Sequence, residues 1–144
     1  MNDNKTKLQI SLNSFDDLEN SRESIINFCR HYCRTDEVID ILEMAIFEAC
    51  HNAVLYSVKR KNKSLCKLKL SHDNQSIKAI VINYGKAFKV KEKESFSIEQ
   101  DFIQYKNGGL GIPLIKSLVD SVEYSRKSDG TNELIIVKKL IKNQ

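Results

Sequence analysis

The chain has 144 residues, 41% of them hydrophobic, the size of one domain with a core of its own. Charged residues make up 29% and are mixed in sign; the net charge of +4 favours acidic partners or phosphates without requiring nucleic acid. Met1 to Gln9 is polar, and no stretch reaches the roughly 18 to 20 apolar residues of a membrane span, so neither leader nor anchor is expected and the cytoplasm is the expected compartment.

Leu8 to Leu12 alternates apolar and polar residues, the pattern of a half-buried strand. Ser14 offers an N-cap with Asp17 three residues on, which predicts a helix to about Tyr32. Within it Ile25, Ile26, Phe28, Cys29, Tyr32 and Cys33 make one apolar face. Cys29, His31 and Cys33 raise a metal site, but no paired Cys-x-x-Cys knuckle accompanies them, and core packing of reduced thiols is expected for these and for Cys50 and Cys66.

Thr35, Asp36 and Glu37 begin a second helix, expected to reach about Val58, with acidic residues in the turn where the helix dipole favours them. One row on it reads Ile41, Ala45, Glu48, Asn52, Leu55, at alternating steps of four and three, so two strongly polar side chains interrupt an apolar face. Burying them costs several kcal/mol unless partners or a ligand satisfy them. A helix edge with satisfied polar groups and a ligand site are both open on this pattern alone.

Lys59 to Ser64 is a polar turn whose Lys59, Arg60, Lys61 and Lys63 read as a solvated helix end, since no aromatic residues interleave them. Leu65 to Ser71 and Ile77 to Ile82 are strands of one hairpin turning at His72 to Gln75. Lys86 to Asn107 is charged and long enough for a lid, residues 86–107. Gly108-Gly109-Leu110-Gly111 then opens a helix through Pro113, Ile115, Leu118, Val119 and Val122. Such a loop can be a plain turn, or it can bind anions through unpaired N–H groups; it matches neither the Walker pattern nor Gly-x-Gly-x-x-Gly. Val122 to Arg126 and Leu134 to Val137 flank the turn Ser128-Asp129-Gly130 and make a closing hairpin. No second domain is expected within residues 1–144.

In order, the chain reads Phe47-Glu48-Ala49-Cys50-His51-Asn52-Ala53-Val54, then Asn83-Tyr84-Gly85-Lys86-Ala87, then Gly108-Gly109-Leu110-Gly111-Ile112, then Gly130-Thr131. This resembles the GHKL ATPase superfamily, and in detail the anti-sigma-factor serine kinases of bacteria, over roughly residues 8 to 140. The resemblance implies the Bergerat fold, an α/β two-layer sandwich with a left-handed βαβ unit, its mixed, mostly antiparallel sheet covered on one face by three helices. It implies ATP and Mg²⁺ as cofactors, a sigma factor and an anti-sigma antagonist as partners, and a homodimer. By the same resemblance Glu48 is the general base for a serine hydroxyl, Asn52 the Mg²⁺ ligand, and Asn83, Gly85 and Thr131 the adenine end. Gly108, Gly109, Leu110 and Gly111 are the phosphate cradle.

The family's adenine motif is Asp-x-Gly-x-Gly, where this chain has Asn83 and Ala87. An asparagine carbonyl still accepts a hydrogen bond, but the loss of charge assistance costs about 1 kcal/mol, and Ala87 adds a methyl to a tight turn. Weaker ATP binding is therefore expected; the alternative function is a non-catalytic binding module with a weakened or lost nucleotide site. Histidine kinase action is not expected.

Overall fold

The computed structural model of the protein describes residues 6–85 and 111–140. Their elements run β1 (Leu8–Leu12), α1 (Phe15–Asn20), α2 (Arg22–Tyr32), α3 (Asp36–Tyr56), β2 (Cys66–His72), β3 (Ser76–Tyr84), α4 (Gly111–Leu118), β4 (Ser121–Arg126) and β5 (Thr131–Lys139). The five strands form one sheet in the order β1-β2-β3-β5-β4. Every pairing among the described residues is antiparallel. The mixed character expected of the sheet survives only as direction: β4 runs parallel to β3 with β5 between them, so β3, α4 and β4 make a split βαβ unit.

Alternation decides which side of each strand is buried. Leu12, Cys66, Leu68, Leu70, Ile77, Ala79, Val81, Leu134 and Ile136 are buried on one face. The helices cover that face: Ile25 and Cys29 of α2, Leu42, Ala45, Ile46, Ala49 and Cys50 of α3, and Ile115 of α4 join the same core. All four cysteines are buried, Cys29 and Cys33 on the apolar face their helical spacing predicts and Cys66 on β2, and the described residues contain no cluster of metal-ligating side chains. No described helix is long and apolar enough to cross a membrane.

The first helix differs from its expected form. Ser14 caps it as predicted, its Oγ accepting from the Asp17 N–H at 3.1 Å, while Asp17 Oδ2 accepts from the Asn13 N–H at 2.8 Å. But the helix breaks at Ser21, so among the described residues four helices stand where three were expected. The Ser21 hydroxyl donates to the Asp17 carbonyl at 2.7 Å, and this back-bonding to the preceding turn bends the chain. α3 starts as read, with Thr35 Oγ1 accepting from the Val38 N–H, and stops two residues before the expected Val58.

Candidate nucleotide site

Three segments meet at one end of the sheet: the last turns of α3, the end of β3 and the start of β5. Asn83 stands at the inward register of β3, where Ile77, Ala79 and Val81 precede it as core residues, so alternation forces an amide into the interior. Its Nδ2 donates to the Ala53 carbonyl at 3.0 Å and to Ser57 Oγ at 3.2 Å. Because a carbonyl can only accept, these contacts fix which end of the amide is nitrogen. The other end, Oδ1, is buried with no hydrogen-bond partner among the described residues. A buried acceptor left without a donor costs about 1–3 kcal/mol.

Ser57, which sequence reasoning passed over, organises the back of the site. It accepts from Asn83, and its hydroxyl lies within bonding reach of the Ala53 carbonyl and, at 2.6 Å, of the Leu65 carbonyl. The chain leaving α3 is fastened to the end of β3 by the Val58 N–H donating to the Tyr84 carbonyl at 2.8 Å and by a bridge between Ser57 and Gly85. Gly85 makes that approach possible. It has φ of +154°, and a Cβ there would lie 2.5 Å from the Tyr56 carbonyl oxygen, a backbone atom that cannot move aside.

On α3, one turn separates Glu48 from Asn52, which places the two side chains on one face. Asn52 is 7% exposed, and its amide makes no hydrogen bond with the described residues. Glu48 is half-buried, and desolvation pushes its carboxyl above the ordinary value of 4.5, which makes it a stronger base than a surface carboxylate. Asn52 adjoins Ala53, whose backbone carbonyl accepts from Asn83 Nδ2.

The β5 side departs in detail from the sequence reading. Thr131 pairs in register with Tyr84, one residue from Asn83, and Gly85 N–H donates to the Gly130 carbonyl at 3.2 Å. Alternation, however, puts Asn132 rather than Thr131 on the face that Asn83 occupies. Asn132 is fully buried; its Oδ1 accepts from Tyr124 Oη at 2.6 Å and from Arg126 Nη1 at 2.9 Å, and the same guanidinium donates to the Gly85 carbonyl at 2.6 Å. This network braces the glycine from behind. Its signal in the sequence is an asparagine at an inward position, followed by Leu134 and Ile136 at the same parity. Asp129 Oδ1 accepts from the Thr131 N–H at 2.8 Å, which holds that carboxyl below its usual range and rigidifies the turn.

Gly111 begins α4, which packs along α3 and drives Ile115 into the core. Gly108, Gly109 and Leu110, Ala87, and the expected lid at 86–107 lie outside the described residues.

Buried polar side chains of a helix, a strand end and a hairpin thus gather at one end of an antiparallel sheet covered by helices on one face. The chain matches the model of one family, the histidine kinase-like ATPase domain, over residues 13–138, and it belongs to this family. Among characterised proteins it is similar to the serine-protein kinase RsbW of Bacillus velezensis, with 28% identity over 101 residues covering 67% of this chain and 63% of the relative. It is also similar to RsbW of Bacillus pumilus, with 31% identity over 103 residues covering 66% of this chain and 62% of the relative. The match thus spans a little under two thirds of these relatives. The fold is shared with a crystal structure of the RsbU and RsbW domains of Rv1364c from Mycobacterium tuberculosis, at a TM-score of 0.68 and 14% identity, covering 94% of this chain and 33% of that one.

Proposed function

We propose that this protein is an ATP-dependent serine-protein kinase and anti-sigma factor of the cytoplasm, which phosphorylates a serine of an anti-sigma antagonist and sequesters a sigma factor. The observation that carries the nucleotide part is the buried, unpartnered Oδ1 of Asn83, an acceptor suited to the exocyclic amine of adenine. Asn83 and Gly85 would hold the base, with Thr131 beside them; Asn52 would hold Mg²⁺; Gly108, Gly109, Leu110 and Gly111 would cradle the phosphates. Bound Mg-ATP supplies the γ-phosphoryl group.

Glu48 is the group suited to take the proton from the attacking serine hydroxyl. Its partial burial raises its basicity, and a base nearer neutral in pKa accepts a proton more readily as the hydroxyl attacks. The neighbouring Asn52 is neutral, so it can ligate a cation beside Glu48 without adding a second negative charge to the same helix face. The work of the site is positioning and charge stabilisation, which is what phosphoryl transfer needs from a protein.

The test is calorimetric titration with ATP, with and without Mg²⁺, on wild type and Asn52→Ala, followed by transfer of labelled phosphate to a candidate antagonist by wild type and Glu48→Gln. Mg²⁺-dependent binding weakened by Asn52→Ala, with transfer abolished by Glu48→Gln, is the expected result. Absence of binding at millimolar ATP refutes the kinase reading and leaves the second one, a binding module of the same fold. That reading draws on Asn83, a neutral amide where the family carries a carboxylate.

A further inference from the structure

Between α3 and β2 the chain carries Lys59, Arg60, Lys61 and Lys63 with no acidic residue among them. The whole chain has 23 lysines and arginines against 19 acidic residues, so these four are the entire excess and the net charge of +4 sits on this one loop. As a sequence the loop reads as a solvated helix end without aromatic neighbours. The fold supplies one, because the Arg60 guanidinium lies 3.9 Å from the centre of the Tyr84 ring at the end of β3.

The loop is braced at its base. Ser57 Oγ donates to the Leu65 carbonyl at 2.6 Å, joining its two ends, and the Val58 N–H ties its start to the Tyr84 carbonyl at 2.8 Å. Within it the Lys63 N–H donates to the Arg60 carbonyl at 3.3 Å, and Asn62 takes a φ of +61°, a left-handed conformation that asparagine tolerates, so the backbone doubles back. This reversal gathers the four cations around an open hollow of about 670 Å³, bordered by Asn13 where the chain leaves β1. No acidic and no apolar side chain lines it. Among the described residues none of the four cations is ion-paired to a carboxylate, and Asp129 feels Arg60 only from beyond ion-pair distance.

Like charges held this close repel one another, and a bound polyanion relieves the repulsion. We infer that the hollow binds a compact, phosphate-dense anion, a tri- or polyphosphate. Its volume is that of a small-molecule site. Lysine ammonium groups are point charges that meet phosphate oxygens without demanding a fixed geometry, and a guanidinium stacked flat on an aromatic ring still presents its N–H edge. An acidic protein segment suits the hollow less well, because protein recognition concentrates its energy in apolar and aromatic anchors, and the lining offers such anchors no pocket. None of Glu48, Asn52, Asn83, Gly85 or Thr131 lines the hollow, so its occupancy is separable from nucleotide binding.

Calorimetric titration of the full chain with sodium tripolyphosphate, without nucleotide or Mg²⁺, tests this beside two double variants, Lys61→Gln/Lys63→Gln in the loop and Lys69→Gln/Lys78→Gln on β2 and β3, which removes the same charge elsewhere. Circular dichroism checks that both fold. The wild type should bind tripolyphosphate at a site whose Kd rises ~10-fold in the loop variant, through the loss of two exposed charge contacts, and stays within ~2-fold in the strand variant. Raising the salt from about 50 to about 300 mM should weaken binding, because the cations are exposed. Acetylated tetra-aspartate, of similar charge, should bind ~10-fold more weakly than tripolyphosphate. Absence of binding, equal weakening by the two double variants, or unchanged affinity and stoichiometry in the loop variant each overturns the inference. Tetra-aspartate binding as tightly as tripolyphosphate overturns it in favour of an acidic protein segment.

Discussion

Removing the Asn83 side chain separates the cost of the site from its use. In Asn83→Ala, the bonds from Nδ2 to the Ala53 carbonyl and Ser57 Oγ are lost, at about 0.5–1.5 kcal/mol each. The Ala53 carbonyl is not orphaned, because the Ser57 hydroxyl also reaches it. Against that loss, the unpartnered Oδ1 disappears, and with it a penalty of about 1–3 kcal/mol. The two nearly cancel, so the ligand-free variant should melt within about 4 °C of wild type. Nucleotide recognition should not be spared. If Oδ1 accepts from the adenine amine, wild type should prefer ATP over purine riboside triphosphate, which lacks that amine, by ~10-fold, matching one neutral hydrogen bond of about 1.4 kcal/mol. In Asn83→Ala the preference should collapse to near one. Isothermal titration of both proteins with both nucleotides gives the four constants. An unchanged preference in the variant would refute the assignment of Asn83, and a large loss of ligand-free stability would refute the reasoning about its orphaned oxygen.

Gly85→Ala should lower the melting temperature by roughly 8–15 °C, since its Cβ would meet the Tyr56 carbonyl at 2.5 Å in a backbone conformation of positive φ. Gly130→Ala should cost less, about 1 kcal/mol, because the nearest atom, at 2.7 Å, belongs to the Tyr84 ring, which can rotate away. Glu48→Gln should stabilise the ligand-free protein at neutral pH. The Glu48 carboxyl is raised on folding, so the native state binds more protons, and wild-type stability falls as pH rises from 4.5 through the raised value; the gap between variant and wild type in urea denaturation should close below pH 4.5. Thiol titration of the native protein should find the cysteines unreactive until it unfolds. All four are buried, and desolvation pushes the Cys29 thiol up to about 12, which leaves almost no thiolate at neutral pH.

Local chemistry wrote much of this protein into its sequence. Ser14 and Thr35 cap their helices because hydroxyls accept from nearby N–H groups, a contact that needs no knowledge of distant residues. Alternation in β2, the nearly continuous apolar run of β3, and the turn at Asp129 and Gly130 made both hairpins legible. The step of four between Glu48 and Asn52 put them on one helix face. What depended on tertiary contacts was not legible in this way. The break at Ser21 turns on a hydroxyl choosing the Asp17 carbonyl over solvent. The insertion of β5 between β3 and β4 is set by pairing between segments distant in the chain, so that Asn132, rather than the more conspicuous Thr131, shares the face of Asn83. The orphaned Oδ1 of Asn83 exists only because its Nδ2 is captured by a helix thirty residues away. Register, unlike helical spacing, is a property of partners rather than of a segment.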